Sequence, residues 1–246
     1  PAETTEARPR SPSIVLELSG TSRQIGRQHG EALREVIRET MDRYEAFLGE
    51  RNLLTLAVPE ATRVLPSLFD PATLEELRGL AEAVGVPFEH LLAYNLDAAL
   101  FPAFTPGCTQ AVRTAKVNGG RLLHGANEDS PLTLHLGLPQ TRTVQIRRRT
   151  DGPAPERTTV LFSLAGQIAG PNAVNDAGIT VTGCTLLDGP PPGGLPHGVP
   201  HPQLVKQVAE GSKSLADAVA IAEKVDRSGR WCLLVSSASE DRAIAL

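Results

Sequence analysis

The apolar pattern of this chain changes period near residue 108, and that change bounds its fold more tightly than any other feature. Before it, apolar side chains recur at helical spacing between cap signals; after it, they alternate in short runs broken by Asn, Asp and Gly. Residues 13–18 (Ser-Ile-Val-Leu-Glu-Leu) read as a short strand, and Ser19-Gly20-Thr21-Ser22 then caps a long amphipathic helix reaching about residue 48. Gly26 and Gly30 each cost that helix about 1 kcal/mol relative to Ala, so they are expected to permit close packing against another element. His29, between them, reads as a packed or hydrogen-bonded structural residue. Asp70-Pro71 and Val86-Pro87 open two further helices, 71–85 and 87 to about 98.

The second half reads as antiparallel hairpins without a βαβ unit. Cys108–Lys116 and Arg121–Ala126 flank Val117-Asn118-Gly119-Gly120, where Asn-Gly suits a two-residue turn at positive φ. Thr141–Arg149 and Arg157–Leu164 flank Thr150-Asp151-Gly152, and Ile179–Thr185 follows Asn175-Asp176-Ala177-Gly178. The Pro- and Gly-rich stretch 188–202 is expected to lie over a pocket. Helices 201–210 and from Ser214 onward, then strands 231–237 and 242–246, complete an α+β order with helices layered on sheet.

Composition removes several functions. A net charge of −4, with 24 Lys+Arg against 28 Asp+Glu, leaves no basic footprint for nucleic acid. No apolar run of about 18 residues is present to span a membrane, and residues 1–10 lack the apolar core of a signal peptide, so the tail is expected to be disordered and the protein cytoplasmic. Arg142, Arg147, Arg148 and Arg149 read as a solvated hairpin face, with a carboxylate or phosphate as the alternative partner. No cofactor or metal is expected: Cys108, Cys184 and Cys232 form no C-x-x-C pair and no H-E-x-x-H helix exists. Cys232, inside Trp-Cys-Leu-Leu-Val, reads as a small buried hydrophobe.

Cys108 reads differently. It opens the first strand directly behind Gly107, whose carbonyl lies open to attack by the next side chain. An N-to-S acyl shift followed by hydrolysis would leave Cys108 as a chain start. Its α-amine, with a reference pKa of about 7.7–8.0, could then serve as general base for its own thiol. A second reading keeps Cys108 as nucleophile with His124 or His135 as base. A third makes the chain a processing-deficient binding or scaffold protein.

Gly107-Cys108-Thr109-Gln110-Ala111, the hairpin to Gly125-Ala126-Asn127-Glu128-Asp129, Ile168-Ala169-Gly170 with Asn175-Asp176-Ala177-Gly178-Ile179, Gly198-Val199-Pro200, and Ser214-Leu215-Ala216-Asp217-Ala218 together resemble the acyl-CoA:6-aminopenicillanate acyltransferase (isopenicillin N acyltransferase) family of N-terminal-nucleophile (Ntn) hydrolases. Ile25-Gly26-Arg27-Gln28-His29-Gly30 resembles that family's propeptide helix. The resemblance implies an αββα sandwich, a helical propeptide over 1–107, a catalytic segment over 108–246, and cleavage between Gly107 and Cys108. It implies a thiol that takes an acyl group from a small amide or acyl-CoA and passes it to water or an amine, in a processed heterodimer or a higher oligomer. Asp129 matches the aspartate that bonds the nucleophile's α-amine or the substrate, with Asn127 shaping its loop; Thr109, Cys184 and Phe104 are candidate substrate contacts. Cys184 stands where relatives often carry asparagine, a stronger donor than a thiol. The chain also stops short of the family's Thr-Asn-His segment, which supplies an oxyanion-hole amide, so a longer natural protein with further strands is expected.

Overall fold

The structure, a computed structural model, describes residues 13–96, 107–129, 141–155, 157–185, 198–228 and 231–246. The N-terminal tail, Phe104, His135 and most of the 188–202 connection lie outside the described residues. The chain is α+β. Strand β1 (Ile14–Gly20) leads into helix α1 (Ser22–Glu50), which begins at a capping box: Thr21 accepts from the Gln24 backbone, and the Gln24 side chain accepts from the Thr21 backbone. Helices α2 (Leu54–Leu68), α3 (Pro71–Val84) and α4 (Phe88–Asn95) follow. Asp70 caps α3 through the Thr73 backbone and hydroxyl, and α3 stops at Gly85, which takes the left-handed conformation.

Helices α1 and α3 cross at very short range, and glycine makes that possible. A Cβ on Gly26 would lie 1.9 Å from the Glu76 carbonyl oxygen, and one on Gly79 would lie 2.2 Å from that of Arg23. The backbones therefore touch directly, burying Ile25, Leu33, Ile37, Leu77, Leu80 and Val84 between them and the sheet.

The remaining strands are β2 (Gly107–Arg113), β3 (Leu123–Asp129), β4 (Arg142–Arg149), β5 (Thr158–Leu164), β6 (Asn172–Asn175), β7 (Ile179–Thr185), β8 (Trp231–Ser237) and β9 (Arg242–Ala245). A one-turn helix α5 (Ala115–Asn118) lies between β2 and β3, while α6 (His201–Gly211) and α7 (Leu215–Glu223) lie between β7 and β8. Seven strands form one sheet in the order β1-β4-β5-β6-β7-β8-β9; β2 and β3 form a second. Alternation separates the faces of the large sheet. Leu16, Leu18, Leu161, Ala173, Val181, Leu233 and Val235 point to one side and pack under the helices in two clusters, α1 to α4 over one end and α6 and α7 over the other. The two-stranded sheet lies on the opposite face, against β7 and β8. Helices, large sheet and small sheet thus make three layers among the described residues, an arrangement compatible with an α+β sandwich.

Three expectations are corrected. Strand β1 pairs with β4 in parallel, Ile14 beside Thr143 through Gly20 beside Arg149, because the intervening helices return the chain to the same sheet end. The Asn118-Gly119 segment is not a two-residue turn: β2 and β3 pair from Arg113 beside Leu123, and the connection winds through α5 to a left-handed Gly119. The Asp241 carboxylate accepts from the Ala115 and Lys116 amides, a tertiary cap that sequence spacing does not show.

The arginine run is the third. Arg148 is exposed, but Arg147 and Arg149 alternate to the helix-facing side and are buried. Glu76 Oε2 accepts from Arg147 Nη2 and from Lys206 Nζ, both at 2.6 Å, with Arg147 and Lys206 approaching from strand and helix α6. Arg149 Nη2 meets Glu210 at 3.1 Å, and Asp151 beside it accepts from the Ser22 amide and hydroxyl at the start of α1. Burial pushes the Glu76 carboxyl up, but the charges of Arg147 and Lys206 outweigh it and hold the group at about 2.

Two substitutions test this packing. Gly26→Ala should destabilise the fold at the upper end of the ~1–3 kcal/mol seen for overpacking, because its new methyl meets backbone. Gly49→Ala, near the end of the same helix with open space around it, should be neutral or stabilising by up to about 1 kcal/mol. Glu76→Ala strands two buried cations and should cost about 3–5 kcal/mol, read as a lowered midpoint in urea unfolding.

Candidate active site

Cys108 occupies the second position of β2, and the hairpin register fixes its surroundings. Gly107 lies opposite Asp129, Cys108 opposite Glu128, Thr109 opposite Asn127 and Gln110 opposite Ala126. Cys108, Gln110 and Val112 are half-buried while Thr109, Ala111 and Arg113 are exposed, so the first set faces the large sheet and the second faces away. Gln110 anchors the hairpin from its centre. Its Nε2 donates to the Cys232 carbonyl at 3.2 Å, and its Oε1 accepts from the Thr182 hydroxyl at 2.6 Å. The Cys184 thiol donates to the Cys108 carbonyl at 3.0 Å.

His124 completes the polar seam between the sheets. Thr182 gives its only hydroxyl proton to Gln110, so it must accept from His124 Nε2–H at 2.9 Å; His124 Nδ1 then accepts from Ser236, at 2.7 Å. This assigns the neutral Nε2–H tautomer, and burial pushes the imidazole down to about 4. His124 lies opposite Val112, four residues along the strand from Cys108, a separation of roughly 14 Å at ~3.4 Å per residue. It cannot hydrogen-bond that thiol, which removes it as a base for Cys108.

The sequence-derived candidates divide by face. Thr109 and Asn127 are cross-strand neighbours on the exposed outer face, opposite to the side that Cys108 presents to the large sheet. Asp129 lies in the backbone register beside Gly107. Cys184 meets Cys108 through its carbonyl. Glu128, directly across from Cys108 and exposed, was missed; only the strand register, which a turn of nine residues rather than two sets, pairs it with the cysteine. Cys232 is not the buried hydrophobe expected: it is half-buried, on the intersheet face directly opposite Cys184. Behind β7, on the helical face, the imidazole of His201 lies so close to Gly183 that a Cβ there would fall 2.1 Å from its Cδ2. That ring stacks on Trp231 at 4.0 Å between centroids, and burial pushes it down to about 3. His29 is also buried, accepts from the Gly166 amide, and is pushed down by burial to about 4.

A shallow cleft with room for little more than one water molecule, lined by Arg149, Gly152, Arg157, Thr159 and Glu210, lies on the helical side, across the sheet from Cys108. No cluster of metal-ligating side chains occurs among the described residues. No helix among them is long and apolar enough to cross a membrane.

Over 102 residues the chain is 28% identical to acid ceramidase of Mus musculus, a stretch that covers 42% of this chain and 24% of that protein. The chain thus spans about a quarter of the length of the curated relative it matches. No protein-family model matches the chain.

Three histidines held neutral make the fold acid-labile. In the unfolded chain each takes a proton below pH ~6.5, while the folded chain resists until about 4 for His29 and His124 and about 3 for His201. The unfolded state therefore binds more protons across that window, so stability is full above pH 6.5 and falls as pH drops toward 4. Thermal unfolding followed from pH 7.5 to 4.5 should show a level midpoint down to about pH 6.5 and a falling one below it, and His29→Gln should flatten that fall.

Proposed function

We propose that the chain is an amidohydrolase of the Ntn type whose nucleophile, Cys108, is uncovered by cleavage after Gly107. The observation that carries this reading is the placement of Cys108: second residue of β2, immediately behind a glycine, half-buried at the seam between two sheets, and joined to the large sheet by its own carbonyl. The distant likeness to acid ceramidase supports an amide-hydrolysing activity. An acyltransferase role and an acyl-CoA donor extend the same thioester chemistry and rest on the family resemblance.

In this mechanism the Cys108 thiol attacks the Gly107 carbonyl, the scissile C–N bond breaks as the α-amine takes a proton, and water hydrolyses the resulting thioester. The released amine then takes the thiol proton during attack on a substrate amide, and passes it to the departing amine. Asp129, in register with Gly107, would hold the new α-amine, with Asn127 shaping its loop. Acyl transfer to water or to an amine regenerates the thiol. Val15, Val144 and Phe162 form a cross-strand row on the same sheet face as Thr182; Val15 is 60% and Phe162 45% exposed, which suits an apolar acyl group. His124, committed to Thr182 and Ser236, takes no part in proton transfer.

Cleavage would leave residues 1–107 in place, because β1 is a strand of the sheet and Glu76 lies in its ion cluster. Intact mass spectrometry of the denatured protein should give two fragments meeting at Gly107/Cys108 that co-elute under native conditions. Cys108→Ala should stay whole and lose amidase activity by several orders of magnitude. A wild-type chain that remains uncut at neutral pH, with no N-terminal cysteine to label, would overturn the reading in favour of a binding or scaffold protein.

A further inference from the structure

All three cysteines of this chain, 76 and 48 residues apart in sequence, converge between the two sheets. Cys184 and Cys232 are directly opposed across the antiparallel β7–β8 pair. Opposed residues in such a pair have Cα atoms about 4.5–5.5 Å apart, inside the ~4.4–6.8 Å window that a disulfide spans. Cross-strand partners share a face, and this face is the one the hairpin covers: Gly183 and Leu233 point to the helices, whereas the Cys184 thiol reaches the Cys108 carbonyl. Both residues are half-buried thiols, so a small oxidant can reach them, and neither is in a disulfide. Gln110, which holds the hairpin, donates to the carbonyl of Cys232 itself. One strand pair therefore carries both thiols and two of the attachments that seat Cys108.

We propose that Cys184 and Cys232 form a reversible disulfide modification site, closed by hydrogen peroxide, whose closure withdraws the thiol that seats the Cys108 strand. In the first step one sulfur attacks a peroxide oxygen; the O–O bond breaks, an S–OH forms, and the thiol proton leaves with the other oxygen as water. The second sulfur then attacks the first, the S–O bond breaks, the S–S bond forms, and the second thiol proton leaves with the hydroxide as another water. Each sulfur loses one electron and the peroxide gains two. Closure draws Cys184 Sγ toward β8 and removes its proton, so the hydrogen bond from that thiol to the Cys108 carbonyl is lost. The effect on Cys108 chemistry rests on the amidohydrolase reading; the disulfide itself does not.

The test treats wild-type protein with limiting hydrogen peroxide, alkylates the remaining thiols, and maps the unreduced digest by mass spectrometry. The expected product joins the Cys184 and Cys232 peptides, two hydrogens lighter than their sum, leaves Cys108 alkylated, and reverts with dithiothreitol. A digest with both residues alkylated, or with either joined to Cys108 instead, overturns the proposal, whether or not the chain is cleaved at Gly107. In the linked protein, alkylation of Cys108 should slow severalfold, while Cys232→Ala should show one rate with or without peroxide. An unchanged rate in the linked wild type overturns the coupling to Cys108.

Discussion

A buried carboxylate shared by two cations sets the geometry of the molecule. Glu76 comes from the third helix, Arg147 from the second strand of the large sheet, and Lys206 from a helix more than a hundred residues later; all three are inaccessible to solvent. Removing such charges from water is costly, and the mutual attraction offsets that cost only when geometry and partners are right. Nearby Arg149, Glu210 and Asp151 extend the cluster to three acids and three bases, so its formal charges cancel. A hydrophobic contact would accept several offsets between helix and strand. This one accepts very few, and it lies where the two apolar clusters meet. The sheet that receives the Cys108 hairpin is consequently fixed on its far side before any residue of the hairpin contributes.

Much of the architecture was legible because caps and periods are local. Thr21, Asp70 and Ser214 announce their helices, and Gly26 marks a close crossing because only a packing demand offsets its cost in a helix. What stayed hidden depends on partners distant in sequence. Arg147 looks like part of a solvated run until Glu76 and Lys206 reach it from elements 71 and 59 residues away. The Asn118-Gly119 turn is reshaped by Asp241, near the other end of the chain. Spacing cannot reveal that β1 lies parallel to β4.

At the candidate site the same division holds. Cys108 stands out from sequence because glycine precedes it where strands begin. Its company does not: Glu128 follows from register, and the convergence of Cys184 and Cys232 follows from strand order. The polar seam of Gln110, Thr182, His124 and Ser236 could not be read from residue types scattered over more than 120 positions, yet it is what ties up His124.

The parallel pairing of β1 with β4 joins residues 129 positions apart, so the sheet's first strand docks only after the chain between has been laid down. The Gly107–Cys108 bond lies inside that span. While the bond is intact, the strand finds its place by closing a loop, a first-order event whose entropy grows slowly with length. Were it cut as proposed above, the same docking would become an encounter between two molecules and depend on their concentration. A protein matured in this way keeps a structure that only its uncut precursor assembles efficiently, and heat or denaturant would erase it for good in dilute solution.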